Sequence, residues 1–238
     1  MPRTPHPRFE GKSGMGPRGD VIVEADWCIG ELYKTLDNEG LLDNTLIIFS
    51  SDNGPVLNDG YYDDAVEKLG DHTPSGGLRG GKYSLFEAGT KVPFISYWRG
   101  KINPGVSNEL ISQVDLLNSI SSIIGSEFKS NDGIDLSDLL LRNIGKGRDH
   151  LVVEASTRTA FRKGDWVIIP PYDAPALNKN VNIELGNSNN FQLYNLEDDP
   201  SQKNNLAKIE KEKLKEIYNE FLKIRGDNFS NIESLILE

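Results

Sequence analysis

Between residues 45 and 55 the chain reads Thr45-Leu46-Ile47-Ile48-Phe49-Ser50-Ser51-Asp52-Asn53-Gly54-Pro55. A β-branched and aromatic run that turns polar and then meets Gly-Pro predicts a buried strand over 45–51, with a site at its C-terminal end. Ligands of open α/β sheets bind outside that end, so this stretch constrains fold and chemistry together. Asp52 beside Asn53 offers a carboxylate and a carboxamide, hard oxygen donors that suit Ca²⁺ or Mg²⁺ better than Zn²⁺. The same residues would also serve as a turn in which Asp and Asn bond their own backbone and Gly-Pro ends the strand.

Residues 1–19, rich in Pro, Gly and basic side chains, read as a loop entered midway. From about Asp20 a helix is predicted, its acid suited to the positive dipole end. Ile22, Ala25, Ile29, Leu32, Tyr33 and Leu36 recur at helical spacing, and Gly40 closes the element. Cys28, the one cysteine, excludes an internal disulfide or a multi-cysteine metal site. Its place in the helical pattern predicts a buried, inert thiol. Helix, short loop and polar-ended strand form half of a βαβ layout.

Residues 56–91 form a long insertion with little periodicity, a length usual for functional loops. Val92–Trp98 is a second predicted strand, and Ser112-Gln113-Val114-Asp115 a capping box opening a helix through Leu117, Ile120 and Ile124 to Gly125. Residues 126–148 read as loop with a leucine cluster at 139–141. Beyond about 150 come short predicted strands at 151–154, 165–169 and 191–196 around an Asn-rich stretch, 178–190. A helix from about Ala207 to Lys223 follows, with Ile209, Leu214, Ile217 and Phe221 on one face. Two parts are expected: an α/β part over 1–149 and a small α+β subdomain over 150–238, antiparallel strands plus the terminal helix.

The formal charge of −10 argues against general nucleic-acid binding, although Arg3, Arg8, Lys12 and Arg18 gather near the N-terminus. No apolar run approaches the roughly 18 residues of a membrane span, and no signal peptide opens the chain. Gly76-Gly77-Leu78-Arg79-Gly80-Gly81-Lys82 nearly matches a P-loop, but Tyr83 stands where a hydroxyl should reach Mg²⁺ and no strand precedes it. It is better read as a glycine-lined cradle in which Arg79 and Lys82 meet a small tetrahedral anion, or as a flexible loop with solvated cations. His6, set between prolines, and His72, inside the insertion, would serve equally as surface residues.

Several stretches together resemble the type I sulfatases (the arylsulfatase family). They are Gly14–Asp20, Gly40–Pro55, Leu78–Phe94, Trp98–Ile102, Val114–Leu117, Leu193–Pro200 and Asn205–Ala207, in the family's order and spacing. The resemblance implies part of a sulfatase/alkaline-phosphatase-like doubly wound sheet followed by the small α+β subdomain. It implies Ca²⁺ ligation by Asp52 and Asn53, a sulfate-holding Lys82, and His6 near the leaving-group oxygen. Arg79 and His72 would be substrate-binding, and the substrate a sulfated small molecule or glycan. Zinc phosphodiesterases of the wider superfamily place His after the Asp, so Asn53 speaks against that alternative.

Members of the family use a formylglycine made in a Cys-x-Pro-x-Arg motif. Cys28 has Gly30 and Leu32 where that motif needs Pro and Arg, and the paired aspartates of the family's first strand are also missing. The chain therefore resembles a C-terminal half, expected to need the missing N-terminal half and to be inactive alone, with apolar faces that the absent strands would cover. A non-catalytic module that binds sulfated glycans through Arg79, Lys82 and His6 is the alternative. The family's compartments are periplasmic, secreted or lysosomal.

Overall fold

Alternation along the strands beyond residue 150 builds the main core. The computed structural model describes residues 3–226, and β3 (His150–Ala155), β4 (Arg158–Lys163), β5 (Trp166–Ile169) and β8 (Gln192–Asn195) form one antiparallel sheet in the order β3-β4-β5-β8. Successive side chains of a strand point to opposite faces. Phe161, Ile168 and Leu193, aligned across the three strands, turn to the helix α4 (Lys211–Arg225) and bury against Ile217 and Phe221. The Phe161 and Phe221 rings stack with centroids 5.5 Å apart. Their chain neighbours Ala160, Ile169 and Tyr194 turn to the other face and pack on Leu85 and Phe86. The sheet is thus held between its own helix and a loop from the first part of the chain.

Sequence pattern missed β4. Its only apolar residues are Ala160 and Phe161, and the β3–β4 turn is made by Ser156 and Thr157, both at positive φ, rather than by Asn-Gly. The Asn-rich stretch holds a small hairpin, β6 (Leu177–Asn178) with β7 (Ile183–Glu184). Helix α4 starts later than expected because Asn205 Oδ1 accepts from Leu193 N and Ala207 N and draws 205–207 into a turn. Ile209 consequently precedes the helix and is 76% exposed, off the buried face predicted for it.

In the first part, β1 (Ile47–Ser50) and β2 (Phe94–Tyr97) pair antiparallel, Ile47 opposite Tyr97 and Ser50 opposite Phe94. With one neighbour and uncovered faces, β1 is half-buried rather than buried, Phe49 remaining 40% exposed. Helix α1 (Gly16–Asn38) begins with Pro17 in its first turn, four residues before the expected start. Asp20 is buried, accepting from Gly11 N, Ser13 N and Ser13 Oγ. The hydrogen bonds from Ser13 hold its carboxyl below the usual range, so it fastens the preceding loop rather than facing solvent at the dipole. Ile22, Val23, Trp27, Ile29 and Leu32 are exposed, and so is Cys28, against the buried thiol expected. The reason is that little of α1 beyond Gly19 and Asp20 is packed.

Asp115 opens α2 (Asp115–Ile123) and is buried, accepting from Ser112 N, Ile134 N and Arg148 Nε; the N-cap is Val114 without a side-chain capping bond, so only the carboxylate half of the expected box forms. Within the stretch read as loop, Leu139 and Leu140 are buried on a short helix, α3 (Ser137–Arg142). Among the described residues no helix is long and apolar enough to cross a membrane.

Candidate functional site at the end of strand β1

Two backbone hydrogen bonds weld the end of β1 to the glycine-rich loop: Lys82 N to Pro55 O at 3.0 Å and Gly54 N to Gly89 O at 2.9 Å. The contact demands glycine on both sides. A Cβ on Gly54 would lie 1.6 Å from Ala88 O, and one on Gly81 2.6 Å from Pro55 O. The chemistry-bearing stretches met separately in the sequence therefore share one seam.

On that seam Asp52 is exposed, and among the described residues its carboxylate has no hydrogen bond or ion pair. Asn53 Nδ2 donates to Gly54 O at 3.0 Å, which leaves its carboxamide oxygen free. Gln113, which no sequence signal marks, donates from Nε2 to Ser50 Oγ at 3.1 Å and to Ser51 O at 2.6 Å, pinning the end of β1 just before the pair. Lys82 is half-buried, its Nζ 5.5 Å from the Tyr83 ring centroid, with no ion pair among the described residues. Tyr83 is held at φ +76°, a backbone state costly for an aromatic residue, and such strain collects at functional loops.

Arg79 lies differently from the cradle expected of it. Nε and Nη2 donate to the two oxygens of Glu184 at 2.8 and 2.9 Å, and Nη1 donates to Gln202 O at 2.7 Å. Its guanidinium also sits 4.0 Å over the Phe86 ring. The ion pair holds the Glu184 carboxyl below its ordinary range and raises Arg79 further. Its fork is engaged inside the fold, a strut between the Lys82 loop and β7. The same loop is tied again where Glu87 meets Arg162 at 3.1 Å and where Glu87 N donates to Gln202 Oε1 at 2.7 Å.

His6 caps the single-turn helix Pro7–Phe9, accepting at Nδ1 from Arg8 N at 3.3 Å, while its own N donates to Glu24. Its segment reaches the seam through Arg3, which donates to Val56 O and Leu57 O and pairs with Asp59 and Asp63. His72 is exposed on the insertion, its N bonded to Leu69 O, and no hydrogen bond joins it to the other candidates. Strand end and Lys82 loop are thus brought together and the His6 segment is laced to them, whereas His72 is not. Among the described residues no three His, Cys, Asp or Glu side chains cluster as a metal site.

Comparison with known proteins decides the lineage: the family model described as Sulfatase matches residues 4–126. The chain belongs to the sulfatase family. It is 47% identical over 221 residues to an N-acetylgalactosamine-6-O-sulfatase of Bacteroides thetaiotaomicron, covering 91% of this chain and 43% of that protein. Human arylsulfatase A is 38% identical over 145 residues, 58% of this chain and 27% of the relative. Among solved structures, a Bacteroides thetaiotaomicron sulfatase described with the metabolism of multiple glycosaminoglycans superposes with TM-score 0.91 at 44% identity, over 94% of this chain and 48% of that one. A sulfatase from Pseudoalteromonas gives TM-score 0.73 at 30% identity, over 93% of this chain and 44% of its own. The sulfatase-like α/β fold with antiparallel sheets and a C-terminal helix is therefore the fold of this chain, which spans less than half the length of these relatives.

Proposed function

We propose that this sulfatase chain supplies the sulfate- and metal-binding side of a site that hydrolyses sulfate esters of a carbohydrate. The observation that carries the reading is the hydrogen bond from Lys82 N to Pro55 O, which ties the backbone of the Lys82 loop to the strand end that bears Asp52 and Asn53. Lys82 would hold the sulfate oxygens, contributing on the order of 4 kcal/mol at 4 Å in a partly screened site. Asp52 and the free carboxamide oxygen of Asn53 fit a hard cation as donors, and calcium takes about six to eight oxygens, so they are part of a set. When bound, Ca²⁺ would neutralise charge on the ester's oxygens. His6 would protonate the departing alkoxide. The carbohydrate is inferred from the N-acetylgalactosamine-6-O-sulfatase relative.

The nucleophile is not among these residues. Cys28 is exposed in mid-helix and lacks the Pro and Arg that formylglycine formation needs, so no step is routed through it. We infer that a segment bearing Cys-x-Pro-x-Arg completes the site and covers exposed apolar residues such as Ile22 and Ile29 of α1, Phe49 and Ile95. Residues 1–149 and 150–238 act in this reading as catalytic part and buttress.

The test mixes the purified chain with the matured N-terminal part of the Bacteroides thetaiotaomicron relative, in calcium, and measures aryl sulfate hydrolysis. The expected result is no turnover by the chain alone, turnover with the added part, and a loss of two to three orders of magnitude in Lys82→Ala, about the effect of removing one oxyanion contact. Turnover by the chain alone, abolished by Lys82→Ala, would overturn the need for a second part. Calcium-independent glycan binding with no turnover in any mixture would favour a binding module.

A further inference from the structure

Asn53-Gly54 is the chain's one Asn-Gly pair. In such a pair the backbone nitrogen of the glycine can attack the carboxamide carbon before it, because no side chain shields that nitrogen and the ring closes within one chain. Here the glycine cannot be exchanged for a safer residue. A Cβ at position 54 would lie 1.6 Å from Ala88 O, so the close approach of the two loops requires the very residue that exposes Asn53 to attack.

Three hydrogen bonds surround the peptide between the two residues. Gly54 N donates to Gly89 O at 2.9 Å, so the proton that must leave before any attack is held in a bond between the loops. Gly54 is also buried, which keeps water from that proton. Asn53 Nδ2 donates to Gly54 O at 3.0 Å and keeps the half-buried carboxamide turned along the same peptide. Ser51 Oγ donates to Asn53 O at 3.0 Å. That last bond works against the first: when the amide loses its proton the charge spreads onto Asn53 O, where a donor favours it. The peptide is primed on its oxygen and restrained on its nitrogen.

We propose that Asn53 is a self-modification site, its deamidation held off by the bond from Gly54 N to Gly89 O. When the loops part, Gly54 N loses its proton and bonds to Asn53 Cγ. The Cγ–Nδ2 bond breaks, and Nδ2 leaves as ammonia, carrying that proton. Water then opens the succinimide, giving an aspartyl residue if it adds at Cγ and an isoaspartyl linkage if it adds at the main-chain carbonyl. Water is consumed and ammonia released, with no change of oxidation state. Either product sets a second negative charge beside Asp52, and the isoaspartyl form also lengthens the backbone and shifts Gly54 N away from Gly89 O. Because the reaction needs the loops apart, its rate follows the fraction of time they are open. The inference stands on the seam's geometry and is independent of the hydrolase reading.

The experiment incubates the full chain near neutral pH and follows Asn53 by peptide mass spectrometry and isoaspartate assay, while NMR-detected hydrogen exchange reads the Gly54 amide. Urea below the unfolding midpoint opens the loops by degrees. Deamidation of Asn53 and exchange of the Gly54 amide should rise together, the folded chain reacting at least about tenfold more slowly than the unfolded one. Gly81→Ala, whose Cβ would meet Pro55 O at 2.6 Å, should part the seam and speed the reaction severalfold without urea. Adding Ser51→Ala should slow it again, since the charge on Asn53 O loses its donor. Should Gly81→Ala fail to fold, the urea series on the parent chain decides alone. Asn53 reacting as fast in the folded chain as in the unfolded one, or at a rate indifferent to Gly54 exchange, would overturn the assignment. Neither measurement uses sulfate or turnover, so that outcome would leave the hydrolase reading untouched.

Discussion

Arg79→Ala tests whether the guanidinium is a strut or a ligand. Its pair with Glu184 is about half exposed on the carboxylate side and is worth ~0.5–1 kcal/mol. The Nη1 bond to Gln202 O is charge-assisted beside a fully buried residue and adds ~1.5 kcal/mol, and the stack 4.0 Å over Phe86 adds ~1 kcal/mol. Together these make a loss of ~3 kcal/mol, or a fall in Tm of ~6–12 °C for a chain of this size. Glu184→Gln keeps the Gln202 bond and the stack and should lower Tm by only ~1–4 °C. The assay is thermal unfolding by tryptophan fluorescence, joined to hydrogen exchange, which should rise over residues 80–89 in Arg79→Ala. An Arg79→Ala chain that melts with the parent, exchanges like it over 80–89 and yet loses sulfate binding would refute the strut.

Gly54→Ala forces a methyl to within 1.6 Å of Ala88 O and must part the two loops, so sulfate affinity should fall at least tenfold even where the chain still folds. Retained affinity would show that the seam is dispensable. Acidification has a predicted sign: Glu184 and Asp20 both have carboxyls lowered in the fold, so each contributes stability above its ordinary range that is lost as pH falls through the lowered value. Melting temperature should therefore drop below pH ~4.5, and Glu184→Gln should remove part of that slope. A pH-flat melt of the parent would contradict it.

The sequence disclosed the periodic parts of the fold. Strand β1, helix α1, helix α2 and the apolar stripe of α4 were legible because each follows a local rule. β4 was not, because its burial comes from neighbours on both faces and its turn uses Ser156 and Thr157. At the candidate site, residue type and glycine context single out Asp52, Asn53 and Lys82, and the fold ties their two stretches together through the Lys82 N to Pro55 O bond. Arg79 misled, since its partners Glu184 and Gln202 lie more than a hundred positions away. Gln113 carries no local signal at all; only the folded chain brings it to the end of β1.

The single-residue alternation in β4, β5 and β8 has a consequence for any attempt to dissect this chain. A cut at residue 150 follows the order of elements, yet it would strip Ala160, Ile169 and Tyr194 from Leu85 and Phe86, the floor on which the Lys82 turn stands. By the same token, a change buried under α4 at Phe161 or Ile168 sits one peptide unit from the underside of that floor. The terminal sheet is the anvil of the Lys82 loop, and neither can be engineered as an independent cassette.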